Sequence, residues 1–198
     1  RYKRPLDLFV LVVAHIALAP IWIALWVMIP TAIVLEGGRP IFFAQRRSGR
    51  GGREFPIRKF RTMIPNADKV GPSWTTESDP RVTRVGRFLR RTGLDELPEI
   101  LSIWKGDMSL VGPRALPVDE QLHLEQQIPN FGDRLNAVPG LTGLAQLRNP
   151  EDDPVEKLRY DLEYIEQASL VLDVRLLVAS TFNTLLLRWD KRAGKSSQ

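Results

Sequence analysis

From Leu8 to Leu35 the chain carries no Asp, Glu, Lys or Arg. A helix of about 20 apolar residues crosses ~30 Å of hydrocarbon, so this run is long enough to span a bilayer. Two features point instead to a segment that enters and returns. Basic residues flank both ends, with Arg1, Lys3 and Arg4 before it and Arg39, Arg46 and Arg47 after it, whereas a spanning helix concentrates them on the cytoplasmic side. Pro20 falls near the middle, where it removes a backbone donor and crowds the preceding turn. Each half is about 10–12 residues, or ~15–18 Å of helix, close to the depth of one leaflet. The expectation is a re-entrant amino-terminal membrane helix over residues 1–36, kinked at Pro20, with both ends on one face.

Three other readings stay open. Ala17-Leu18-Ala19 resembles a signal-peptide cleavage site, although apolar sequence continues past it. A kinked helix that crosses completely is compatible with Pro20, because membrane helices tolerate proline. A buried helix of a soluble protein is the weakest fit to so long an uncharged stretch. His15 is expected to be a tolerated polar residue near the interface, not a ligand.

Outside this run the chain is rich in charge. Its 28 Lys and Arg outnumber 23 Asp and Glu, giving +5, which favours nucleic acid, anionic lipid or phosphorylated substrates as partners. The absence of cysteine excludes disulfides, thiol catalysis and Cys-ligated zinc. With His15 and His123 the only histidines, a histidine-based metal cluster is not expected either.

Beyond the apolar run, residues 40–46 and 53–61 alternate and flank Ser48-Gly49-Arg50-Gly51-Gly52, which predicts a small β-hairpin. Residues 66–79 read as a loop. In residues 81–91, Val82, Val85, Phe88 and Leu89 share a face, with Arg84, Arg87 and Arg91 around the other. Such a basic amphipathic helix could lie on anionic lipid or cover a soluble core. Asp95 is placed to cap a helix reaching Lys105, with Pro98 in its first turn and Gly106 as its stop. Further helices are predicted over 118–127, 156–168 and 171–189, with a loop at Pro139-Gly140-Leu141-Thr142-Gly143. The predicted class is α+β, mainly α, with amphipathic interfacial helices around one catalytic domain over residues 37–190 and a polar tail over 191–198.

Three basic clusters stand out: Lys59-Phe60-Arg61, Arg90-Arg91 and Val111-Gly112-Pro113-Arg114. Arginine presents a planar fork of donors suited to phosphate oxygens. The adjacent Asp95 and Glu96 supply carboxylates, and carboxylates among phosphate-binding cations usually imply a bridging Mg²⁺. On pattern alone, acidic residues at a helix start are more often caps.

Several long motifs shift that balance. Asp79-Pro80-Arg81-Val82-Thr83-Arg84-Val85-Gly86-Arg87-Phe88-Leu89-Arg90, Asp95-Glu96-Leu97-Pro98 and Lys105-Gly106-Asp107-Met108-Ser109-Leu110-Val111-Gly112-Pro113-Arg114 closely resemble the bacterial sugar transferase family, the monotopic phosphoglycosyl transferases. Lys59-Phe60-Arg61-Thr62-Met63 and Pro139-Gly140-Leu141-Thr142-Gly143-Leu144-Ala145-Gln146 match in the family's order. The resemblance covers nearly the whole chain, which is expected to be the family's catalytic unit with no spanning helices ahead of it.

The resemblance implies an enzyme on the cytoplasmic face of the bacterial inner membrane. It would move a sugar 1-phosphate from a UDP-sugar to polyprenyl (undecaprenyl) phosphate with release of UMP. Asp95 would be the nucleophile that forms a covalent phosphosugar, and Glu96 would assist through metal binding or proton handling. Arg114 and Arg90 match phosphate-contacting arginines, Lys59 and Arg61 belong to the same set, and Arg148 aligns less securely. The implied partners are the UDP-sugar, polyprenyl phosphate and membrane lipid, with Mg²⁺ held by Asp95 and Glu96; a homodimer is compatible and nucleic acid is not expected. The family's Ser-Pro kink pair is Ala19-Pro20 here, Ala115 replaces a common proline, Glu99 a usual Gln, and Ser102 a usual Asn.

Three rival functions are set against this one. A nucleic-acid binder would interleave stacking aromatics with its arginines, yet only Phe88 lies among residues 84–91. A catalytically dead scaffold leaves the intact dyad unexplained. A hydrolase passing the phosphosugar to water is separated only by an assay for lipid-linked product.

Overall fold

The computed structural model describes residues 2–70 and 79–186. The predicted polar tail, part of the 66–79 loop and the end of the last helix lie outside these residues. The described chain is mostly helical, with two small sheets and an apolar helical segment at the amino terminus.

That segment is two helices, α1 (Lys3–Ala17) and α2 (Ala19–Gly37). They are separated at Leu18, where the backbone leaves the helical region (φ −112°, ψ 23°). Pro20 occupies the first turn of α2, the position where a missing N–H costs nothing. The break therefore precedes the proline that causes it, because the proline ring acts on the turn before itself. The corner is braced by aromatic packing: the His15 ring stacks on Trp22 at 4.6 Å and 2°. Trp22 Nε1 donates to the Ala14 carbonyl (3.1 Å) across the break. His15 thus serves the corner, with Nδ1 2.7 Å from the Leu11 carbonyl.

The helices are longer than the predicted 10–12 residue halves: α1 takes in the charged start of the run, and α2 begins at Ala19 and keeps the whole longer remainder. Both ends dock on the rest of the protein. At the start, Lys3 reaches Asp173 (2.8 Å) and the Tyr164 hydroxyl. Arg4 donates to the carbonyls of Ile103 and Trp104. Buried Asp7 accepts from Leu110 N (3.0 Å) and Ser109 Oγ (3.1 Å). At the far end, Glu36 accepts from Arg84 N and Val85 N (2.7 and 2.9 Å). Between them, Phe9, Ile16, Met28 and Leu35 stay exposed, so both ends of a largely uncovered apolar segment are fastened to one globular body. α2 by itself is long and apolar enough to cross a membrane by length and composition.

The predicted hairpin is present. Strand β1 (Phe42–Ser48) pairs antiparallel with β2 (Glu54–Phe60), Phe42 opposite Phe60 and Ser48 opposite Glu54. The turn needs left-handed backbone at Gly51 and Gly52 (φ 66° and 77°), which glycine adopts without steric cost. Alternation along β2 turns Phe55, Ile57 and Lys59 to one face, and the register sets Arg47 opposite Phe55 on that same face. Phe55 and Ile57 thereby enter the main core with Ile103, Met108, Leu110 and Val111.

After the one-turn helix α3 (Ala67–Val70) comes α4 (Arg84–Thr92), capped by Thr83, whose hydroxyl accepts from Gly86 N (2.9 Å). Val85 and Leu89 pack with Ile29, Ile33 and Phe60, fixing α2 to the hairpin. Phe88 does not join them; it is 58 % exposed, because the helix starts at Arg84 and turns that side outward. A 3₁₀ turn over Leu94–Glu99 leads into α5 (Ile100–Lys105), which stops at left-handed Gly106.

The remainder is β3 (Ser109–Val111), α6 (Val118–Gln127), β4 (Gly140–Thr142), α7 (Leu144–Arg148), α8 (Pro154–Gln167) and α9 (Leu170–Leu185). The segment predicted as a loop at 139–143 is strand β4, paired in parallel with β3. Its partner lies 31 residues earlier (Ser109 opposite Gly140), so nothing local announces the pairing. The two backbones touch: a Cβ on Gly140 would fall 2.0 Å from Gly112 N, so no other residue fits there.

Candidate active site

The left-handed Gly93 (φ 68°) ends α4 and starts the 3₁₀ turn that carries Asp95 and Glu96. The expectation that Asp95 caps a helix is corrected. No backbone N–H bonds its side chain, because the chain enters α5 through Pro98 and Glu99, not directly after Asp95. Asp95 remains partly exposed and makes no side-chain hydrogen bond or ion pair among the described residues. Its neighbour is held tightly. Buried Glu96 accepts on Oε1 from Lys59 Nζ (2.6 Å) and Arg114 Nη2 (2.7 Å), while Oε2 is buried without a partner.

These partners split the two carboxyls electrostatically. Burial by itself would raise Glu96, but Arg114 and Lys59 outweigh it and hold Glu96 well below the usual carboxylate range. Asp95 is pushed up to about 7, first by burial and then by the charge of Glu96, despite the opposing fields of Lys59, Arg90 and Arg114. Arg90 is fixed beside this pair by Thr62 Oγ1 (2.9 Å). Lys59, Arg90 and Arg114 therefore converge on the dyad from β2, α4 and the turn after β3.

Two residues of the predicted set are not brought there. Arg61 turns to the end of α2, donating from Nη2 to the Gly38 carbonyl (2.9 Å). Arg148 makes an exposed ion pair with Glu163 (3.2 Å). Arg61→Ala should lower stability by ~1–3 kcal/mol through loss of this end cap, while the substrate KM of the folded protein stays within about twofold. A denaturant titration read beside substrate kinetics checks both halves; a tenfold rise in KM would return Arg61 to the binding set.

Arg47 and Arg134 entered the site without being anticipated, and Glu99, singled out in the sequence as a Glu where the family usually has Gln, joins them. Glu99 is buried against Lys59 (3.2 Å), its carboxyl raised by desolvation. Arg134, almost wholly buried, donates to the Arg114 carbonyl (2.7 Å), Gln121 Oε1 (2.9 Å) and Asp161 (2.7 Å). It braces the backbone from which Arg114 projects. Arg47 donates to the carbonyl of Ala115 (2.9 Å) from the other side. The strand alternation of residues 42–48 was the one sequence signal for Arg47; for Arg134 there was none.

The oxygen-only donors suit Mg²⁺. Glu96 Oε2 is an orphaned buried atom and the Asp95 carboxyl carries no hydrogen bond. Among the described residues no group of three or more acidic or histidine side chains could hold a metal. Two carboxylates completed by substrate phosphates are the usual Mg²⁺ set.

An acid pair, one member clamped by Lys59 and Arg114 and the other left open, lies on a body that also carries an exposed apolar helical segment. The family model described as bacterial sugar transferase matches residues 1–188, and the chain belongs to that family. A UDP-glucose:undecaprenyl-phosphate glucose-1-phosphate transferase of Xanthomonas campestris pv. campestris is 40 % identical, over 88 % of this chain and 37 % of its own length. A UDP-N-acetylgalactosamine-undecaprenyl-phosphate N-acetylgalactosaminephosphotransferase of Aeromonas hydrophila is 37 % identical over 96 % of this chain and 45 % of its own. The exopolysaccharide production protein PSS of Rhizobium leguminosarum bv. phaseoli is 35 % identical over 92 % of this chain and 94 % of its own. The chain thus spans less than half the length of the first two relatives.

Proposed function

We propose that this chain transfers a sugar 1-phosphate from a UDP-sugar to undecaprenyl phosphate at the cytoplasmic face of the inner membrane. The observation that carries the reading is the contrast within the dyad: Asp95 is reachable and unpartnered, whereas Glu96 is buried and clamped by Lys59 and Arg114. An unpartnered carboxylate beside a fixed array of cations is suited to attack on a phosphoryl group.

In the first half-reaction an Asp95 carboxylate oxygen forms a bond to the β-phosphorus of the UDP-sugar. The bond from that phosphorus to the bridging oxygen breaks, and UMP leaves with the electron pair. In the second, a phosphate oxygen of the polyprenyl carrier attacks the same phosphorus and expels the Asp95 carboxylate. Lys59, Arg90 and Arg114 bind and orient the phosphoryl oxygens, while Glu96 keeps Lys59 and Arg114 in place. Mg²⁺ held by Asp95 and Glu96 would neutralise phosphate charge and reduce its repulsion with the attacking carboxylate. With UDP-sugar and Mg²⁺ but no lipid acceptor, UMP should appear to about one equivalent per enzyme, and the Asp95 peptide should gain the mass of one sugar phosphate. Steady acceptor-free turnover without an adduct would identify a hydrolase.

The docked ends support the anchor reading. Lys3 and Arg4 at the start, and Glu36 and Gly38 at the finish, all bind one globular body. A segment so tied returns to the face it entered, and its break precedes Pro20. Cysteines at positions 3 and 39 in sealed vesicles should label from the same side. Pro20→Leu restores the N–H and lets one helix run through, so label should move toward opposite sides. Opposite-side labelling of the unaltered chain would replace the re-entrant helix with a crossing one.

A further inference from the structure

A small cavity beside the hairpin is walled by Arg47, Ile57, Lys59, Glu99, Met108 and Arg114 and opens to solvent. Its enclosed part holds about one water-sized group. Among the described residues no carboxylate pairs with Arg47 at ion-pair distance. Its Nη1 donates to the Ala115 carbonyl (2.9 Å), and its Nε is buried without a partner. Burial, then the like charge of Arg114, push the Arg47 guanidinium down to about 10. Two close guanidinium groups, one with a buried unused donor, are costly unless an anion completes them. Glu96 does not do so, since its Oε1 is taken by Lys59 and Arg114, and Glu99 bonds Lys59.

We propose that Arg47 is a substrate-contacting residue, which with Lys59 and Arg114 takes one phosphoryl oxygen in this cavity. The assignment rests on the phosphoryl-transfer reading above and adds a cation that reading does not use. The cavity's size suits a single oxygen and excludes a sugar ring or a base. Five donors in a fixed fork let one guanidinium hold the Ala115 carbonyl and a phosphoryl oxygen together. Both substrates carry such oxygens: the nucleotide as a diphosphate, the lipid as a monophosphate.

The test uses the full chain in lipid nanodiscs with Mg²⁺. Binding of UDP and of a short-chain polyprenyl monophosphate is measured calorimetrically for wild type, Arg47→Gln and Arg47→Lys. Gln retains a donor for the Ala115 carbonyl but no charge, so a purely bracing role would survive it. A tenfold or greater loss of affinity in Arg47→Gln is expected for one ligand, with a smaller loss in Arg47→Lys. Loss confined to UDP assigns the cavity to the sugar donor, and loss confined to the lipid assigns it to the acceptor. If both affinities stay within twofold of wild type, the proposal is overturned. Should Arg47→Gln fail to fold, Arg47→Lys decides, with threefold weakening supporting contact and unchanged affinity overturning it. Wild type that binds neither ligand overturns the functional reading itself.

Discussion

Asp95→Asn should abolish both the acceptor-free burst of UMP and steady turnover while the protein stays folded. Asn preserves the side-chain shape but lacks the anionic oxygen that would bond to phosphorus. Nothing structural opposes the change, since Asp95 caps no helix and has no hydrogen-bond partner among the described residues. The substitution should even stabilise the fold without divalent cations. Burial and the charge of Glu96 raise the folded pKa of Asp95 to about 7. A carboxyl with a raised folded pKa contributes stability below its unfolded pKa and loses it as pH rises through the folded one. The advantage of Asp95→Asn over wild type should therefore grow from about pH 4 to pH 8, read by thermal unfolding in chelator. An inactive Asn variant alongside a wild type that never forms an adduct would point to direct, single-displacement transfer. Retained activity would remove Asp95 from the chemistry altogether.

Arg114→Lys should lower kcat/KM by about 10²-fold, the usual scale for losing one preorganised donor to a transition-state oxyanion. Lysine keeps the charge but presents one compact ammonium where Arg114 has a fork. Here that fork bonds Glu96 Oε1 through Nη2 and borders the cavity with Lys59. Its backbone is fixed by Arg134 on its own carbonyl, by Arg47 on the next, and by the contact of Gly112 with Gly140. The variant should accordingly fold with an unfolding midpoint close to wild type. Kinetics beside thermal melts separate the outcomes: near-normal kcat/KM makes Arg114 structural, and a collapsed melt makes it part of the fold.

The two substitutions touch opposite sides of one electrostatic arrangement. Glu96 stays ionised because Lys59 and Arg114 reach it, and its charge then helps raise Asp95. Removing Arg114 thus alters the carboxyl pair as well as the substrate pocket.

Patterns that depend on near neighbours were legible in the sequence. Alternation and a glycine-rich turn specify the hairpin at Phe42–Phe60, and helical periodicity the span Val118–Gln127. The apolar run and Pro20 specify two helices with a break between them, since a missing N–H acts within one turn. Basic clusters, adjacent carboxylates and the family's motifs together singled out Asp95, Glu96, Lys59, Arg90 and Arg114 as candidates. Tertiary structure decided the rest. It paired Ser109–Val111 with Gly140–Thr142, sent Arg61 to cap α2 and left Arg148 on an exposed ion pair. It also brought Arg47, Glu99 and Arg134 to the site from three separate elements. An arginine looks alike in sequence whether it meets a carbonyl, a carboxylate or an open cavity. Which of these it meets depends on strands and turns distant along the chain, and on the low dielectric that forming the core creates around them.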